Sequence, residues 1–240
     1  MIVRKSLFIA AALLLPFTAR AQQGQGSTGF QIRSVLHDPV HPTAELFLSD
    51  ASGKITPLTL VPEGLSTAQT TIPVNGAIVL YNTAAVDPKN PQASVAATVK
   101  IPANTKRAIM VVLPGNPDSK SAYRAVLIDD SQQGFPKGES RVLSLLGVDT
   151  AIEAGEHKLP VPAGKITNVP AVKKVNEFNM AQTNFYYKEG TSWVAFTERQ
   201  LQYIDQFRRV FIVHVTPGST FPSVTSVVDT APAVIPAPAR

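Results

Sequence analysis

The feature that most constrains this chain is a short apolar run that occurs twice. Arg107-Ala108-Ile109-Met110-Val111-Val112-Leu113-Pro114-Gly115 and Arg209-Val210-Phe211-Ile212-Val213-His214-Val215-Thr216-Pro217-Gly218 both start on a basic residue and stop at Pro-Gly. A brief, continuous run rich in β-branched residues reads as a strand buried on both faces. After a polar loop each run is followed by a second short strand ending in an aspartate, over 123–129 with Asp129 and over 224–229 with Asp229. The pattern predicts two similar β units in tandem.

The residues around the two runs fit the same plan. In the first unit strands are expected over 30–36, 44–48, 54–60, 70–72, 77–81 and 94–101, the last with Val95, Ala97, Val99 and Ile101 on one face. Asn75-Gly76 between apolar runs is a hairpin signal. In the second unit strands are expected over 140–146, 157–161, 175–187 (as one long strand or two) and 193–196. Residues 198–208 read either way: Leu201, Ile204 and Arg208 stand at helical spacing, whereas the flanks are extended. Gly53-Lys54-Ile55-Thr56 returns as Gly164-Lys165-Ile166-Thr167, a second sign of duplication. Twenty prolines weigh against helices, whose interiors they break. The expected fold is all-β: two tandem immunoglobulin-like β-sandwich domains after a cleaved signal peptide. The boundaries are a signal peptide at 1–21, a glycine-rich lead-in at 22–29, domains at 30–130 and 140–230, a linker at 131–139 and a Pro/Ala-rich tail at 231–240.

The first 21 residues carry the layout of an export signal. Arg4 and Lys5 precede an apolar stretch to Phe17, and Ala19-Arg20-Ala21 puts small residues where a signal peptidase reads. The stretch is shorter than the roughly 20 apolar residues a membrane span needs. Removing Arg4, Lys5 and Arg20 leaves 19 basic against 17 acidic residues, so the formal charge of +5 is largely a property of the leader. The balance therefore gives no support to nucleic-acid binding. The absence of cysteine excludes disulfides, thiol nucleophiles and thiolate metal sites. An exported protein, periplasmic or secreted, with no membrane span in the mature chain and no cofactor is expected.

Few residues suggest chemistry. His37-Asp38-Pro39-Val40-His41 has metal-ligand residue types, and His157 or His214 would have to arrive from elsewhere to complete a zinc set. Two prolines put the motif in a loop, and turn residues at a strand end are the expected reading, with no metal. No Gly-x-Ser-x-Gly elbow is present. Asp129-Asp130 reads as solvated boundary charge or a weak cation site. Lys106-Arg107 and Arg208-Arg209 read as charges that blunt strand ends. Tyr186, Tyr187, Trp193 and Phe196 gather around one expected hairpin. A core role is the plainer account of a single tryptophan, yet this hairpin is the first choice for a binding surface, because such aromatics stack on sugar rings or anchor proteins.

From Gly134-Phe135-Pro136-Lys137-Gly138 into the arginine-containing strand at Arg141, the chain resembles uncharacterised secreted or periplasmic β-sandwich proteins of Gram-negative-type bacteria. In these a Phe-Pro-x-Gly turn leads into such a strand, and a later tryptophan strand precedes one ending in Pro-Gly, as Trp193 and 209–218 do here. The resemblance covers mainly 107–230; it implies the architecture and no activity. The functional expectation is a non-catalytic envelope protein with a protein or polysaccharide partner. The alternatives are a carbohydrate-binding module built on Trp193 and the nearby tyrosines, or a hydrolase with an unrecognised site.

Overall fold

A computed structural model of the protein describes residues 29–38, 45–115 and 121–230. Residues 1–28, where the signal peptide is expected, His41 and residues 231–240 lie outside these. Among the described residues there is no α-helix, only a 3-10 turn at Pro91–Ser94 and sixteen strands. The first half contributes β1 (Phe30–Leu36), β2 (Phe47–Ser49), β3 (Ile55–Pro57), β4 (Gln69–Thr71), β5 (Ala77–Tyr81), β6 (Val95–Lys100), β7 (Arg107–Pro114) and β8 (Tyr123–Asp129). The second contributes β9 (Ser140–Ser144), β10 (Thr150–Ala154), β11 (His157–Val161), β12 (Ile166–Val169), β13 (Met180–Glu189), β14 (Ser192–Gln202), β15 (Arg208–Val215) and β16 (Pro222–Asp229). Residues 198–208 are thus strand to Gln202, a connection over 203–207 and strand again at Arg208, because their neighbours supply a sheet edge to extend along.

Four small sheets result, with orders β4-β1-β7-β8, β3-β2-β5-β6, β12-β9-β15-β16 and β11-β10-β13-β14. The last two orders are the first two advanced by eight strands, so the topology of the first half recurs in the second. In both halves the first strand runs parallel to the seventh (β1 with β7, β9 with β15), and the other named pairings are antiparallel. The Gly-Lys-Ile-Thr match is not part of this repeat. Ile55 starts the third strand of its half and Ile166 the fourth of its own, and these lie in non-equivalent sheets. Four shared letters reflect similar turn chemistry only.

Three cores explain the two apolar runs. Ala108, Met110 and Val112 of β7 pack with Leu48, Ile78 and Leu80 of the facing sheet. The alternate residues Ile109, Val111 and Leu113 pack with Val210 and Ile212 of β15. Phe211 and Val213 then face Ile152, Ala181 and Phe185. The β7-containing and β15-containing sheets therefore lie back to back in the middle of a β-sandwich-like stack. Each central strand is dry on one face against its own half and on the other against the opposite half. Each buried aliphatic side chain here contributes about 1.5–3 kcal/mol relative to exposure, which is why these runs carry no polar alternation.

The back-to-back contact is closed by a buried charge cluster. Arg33 of β1 reaches Asp130 (Nη2 to Oδ1, 2.7 Å) and Asp229 (Nη1 to Oδ1, 2.9 Å). Arg208 binds the same two carboxylates, with Nε 3.0 Å from Asp229 and Nη2 2.5 Å from Asp130, and its Nη1 donates to the Phe135 carbonyl at 3.0 Å. Burial pushes both aspartates up, but the arginines outweigh it and hold them below the usual carboxylate range. Burial likewise opposes the charge on Arg33, and the two carboxylates more than restore it.

This cluster corrects two sequence expectations. Asp130 is 3% exposed and no solvated boundary charge, while Asp129 bonds Ser131 and so shapes the following turn. Arg208, 1% exposed, blunts nothing. Each charge is affordable because one of its two partners comes from the other half, a pairing that no local pattern in the sequence displays. The connection from 131 to 139 is packed as well. Phe135 is fully buried with Arg141 and Arg208 over its ring at 4.3 and 4.7 Å. A side chain at Gly134 would collide with Asp129, its Cβ only 1.8 Å from Oδ2.

Candidate functional site

The sheet β11-β10-β13-β14 turns one face into the second-half core and the other outward. Alternation along β13 sends Ala181, Phe185 and Tyr187 inward and Asn184 and Tyr186 outward. The β13–β14 hairpin closes through the two-residue loop Gly190-Thr191, with Gly190 at φ 59°, a conformation that glycine adopts without strain. A register shift between Phe185 and Tyr186 makes Phe196 the extra residue on β14. Its ring packs inward, 6.2 Å from Phe185 and 6.0 Å from Tyr187. The four aromatics singled out from the sequence therefore divide. Tyr187 and Phe196 belong with the core, and Tyr186 and Trp193 line a surface cavity of about 330 Å³. Trp193 is 48% exposed.

The other walls of the cavity come from Ala151, Glu153, Lys158 and Pro160. In register, Pro160 faces Ala151, Ala151 faces Tyr186, and Tyr186 faces Ala195, giving one largely apolar row from edge strand to edge strand. Beside it runs a polar row, Lys158, Glu153, Asn184 and Glu198. Lys158 Nζ lies 2.7 Å from Glu153 Oε1, and the Tyr186 hydroxyl donates to Glu153 Oε2 at 2.9 Å. These two bonds hold the Glu153 carboxyl below its usual range. The Tyr186 hydroxyl is pushed up by partial burial and by the carboxylate it bonds. The arrangement offers a flat ring surface next to fixed donors and acceptors, and its one ion pair is internally neutral.

The sequence reading missed Ala151 and Glu153 because it drew no strand over Thr150–Ala154. The signal was present: Ala154-Gly155-Glu156-His157 is a tight hairpin turn, with Gly155 at φ 54°.

The histidine motif has a different outcome. His37 and Asp38 are buried, and His214 arrives from the other half to meet His37, ring centroids 4.3 Å apart and edge to face. His214 Nε2 pairs with Thr225 Oγ1 at 3.1 Å, and its Nδ1 is buried with no hydrogen-bond partner among the described residues. Burial, then the neighbouring His214, push His37 down to about 4. Burial also lowers His214, against the opposing pull of Glu63. Burial thus disfavours the charged form of both imidazoles, which lie in contact. Among the described residues no group of three histidine, aspartate or glutamate side chains is placed to hold a metal.

A scan against protein-family models and a search of curated proteins both find no match for this chain.

Proposed function

We propose that the chain is an exported, non-catalytic binding protein of the cell envelope, made of two tandem immunoglobulin-like sandwich domains, whose working surface is the outer face of the β11-β10-β13-β14 sheet. The ligand class is carbohydrate. Export is supported by the charged, apolar and small-residue order of the first 21 residues, and no helix among the described residues is long and apolar enough to cross a membrane. The tandem reading is supported by the recurrence of strand order and by a separate core in each half.

One observation carries the ligand class: the single tryptophan is not a core pivot but stands half-exposed over a cavity that Tyr186 shares. An indole left in water at a cavity beside an ordered carboxylate and ammonium suits the apolar face and hydroxyl rim of a sugar. Affinity electrophoresis of the purified protein through gels containing soluble polysaccharides tests this. Retardation by at least one polysaccharide, abolished in Trp193→Ala with an unchanged unfolding midpoint, is expected. Unaltered mobility across neutral and acidic polysaccharides refutes the reading.

A further inference from the structure

We infer that this face takes an internal stretch of a linear, neutral polysaccharide, laid across the strands, and not a sugar end or a single ring. The inference rests on the carbohydrate reading above and specifies the form of the ligand. Three features of the face lead to it.

The first is direction. The apolar row Pro160, Ala151, Tyr186 and Ala195 crosses all four strands, and Pro160 and Ala195 stand on the two edge strands. With strands about 4.8 Å apart, such a row is about 14 Å long, more than one sugar ring covers. Its ends are sheet edges, so a chain can continue past both. Ala151 lies between the larger side chains of Pro160 and Tyr186, and so leaves room for a ring.

The second is the match of the two rows to a pyranose chain. Such a chain offers C–H faces on one side and hydroxyls along its rim. The apolar row meets the faces, and Lys158, Glu153, Asn184 and Glu198 form the polar row alongside it. Glu153 is already fixed by Tyr186 and Lys158, and Asn184 by Gln182, whose amide donates to it at 2.7 Å. Groups held in place before binding lose little freedom when the ligand arrives.

The third is charge. The cavity's carboxylate and ammonium neutralise each other at 2.7 Å. An acidic chain would have to compete with Glu153 for Lys158, whereas a neutral chain hydrogen-bonds to both without breaking the pair.

The test uses the lone tryptophan as a built-in reporter. The full protein is titrated with cello-, xylo- and manno-oligosaccharides from monosaccharide to hexasaccharide, with polygalacturonate as the acidic probe, while Trp193 fluorescence is followed. At least one neutral series is expected to bind with affinity rising tenfold or more, roughly, between monosaccharide and tetrasaccharide. The Ala151→Phe variant fills the middle of the row with a residue that strands favour. It is expected to lose that length dependence while its unfolding midpoint stays unchanged. Equal affinity for monosaccharide and hexasaccharide, undiminished chain binding by Ala151→Phe, or a preference for polygalacturonate overturns the internal-chain inference and leaves the carbohydrate reading standing. No response to any sugar, together with unaltered gel mobility, overturns both.

Discussion

The two halves share one strand plan yet build their common interface from non-equivalent arginines. By register, Arg33 of β1 stands opposite Ile109, and Arg141 of β9 stands opposite Val210, the matching position. Likewise Arg107 joins Asp130 as Arg208 joins Asp229. In the first half the arginine of the first strand enters the centre and Arg107 stays at the rim. In the second half Arg208 enters, while Arg141 turns to Glu139 at 2.9 Å, to the Gly134 carbonyl and to the Phe135 ring. The connection between the halves occurs once, and Phe135 with it, so its ring and carbonyls engage the second-half arginines. A duplicated topology therefore need not give a symmetric interface when one unrepeated segment is packed into it.

The comparison makes the central and rim arginines unequal in energy. Removing Arg208 as Arg208→Leu leaves Arg33 as the one fully buried arginine facing two buried carboxylates, and a loss of about 3–5 kcal/mol in unfolding free energy is expected from urea titration. A loss under about 1 kcal/mol would show that the cluster is solvated and the asymmetry energetically empty.

The histidine contact repeats the contrast on an acid scale. His37 titrates near 4 in the folded protein against 6.5 in the unfolded chain, so the unfolded state takes up the proton first. Stability is then complete above about 6.5 and falls as pH drops towards 4. Asp38, Glu63, Tyr123 and His214 are the other titratable groups around the pair. In His37→Gln this slope should flatten, leaving the contribution of His214, which burial also lowers, and the later loss as the buried aspartates protonate at lower pH. An unchanged slope would place the acid sensitivity elsewhere. The smallest effect is expected at the rim: Arg107, a quarter exposed, should cost no more than about 1 kcal/mol as Arg107→Leu, since Arg33 and Arg208 still hold Asp130. A loss matching that of Arg208→Leu would erase the distinction between the halves.

Much of the secondary structure was legible along the chain. The two apolar runs, the alternation in β6 and the Asn-Gly turn announced strands where strands occur, because turn residues and apolar periodicity act locally, although the strands flanking Asn75-Gly76 join different sheets. The proposed binding face was half legible. Four aromatics around a hairpin marked the place, but a bulge at Phe185 decides which of them face solvent, and one inserted residue alters the alternation. Ala151 and Glu153 come from a strand about 35 residues earlier, brought alongside Tyr186 and Asn184 only by sheet pairing.

What the sequence determined by itself was an all-β chain with two dry central strands, since a run with no polar alternation must have both faces covered. Only tertiary structure decided what covers them. The second face of each run is the other half of the molecule, and the charges beside the runs are buried because their counterions meet them there. Hydrophobic periodicity records that a face is buried; the identity of its partner is set by long-range packing, which leaves no mark on neighbouring residues.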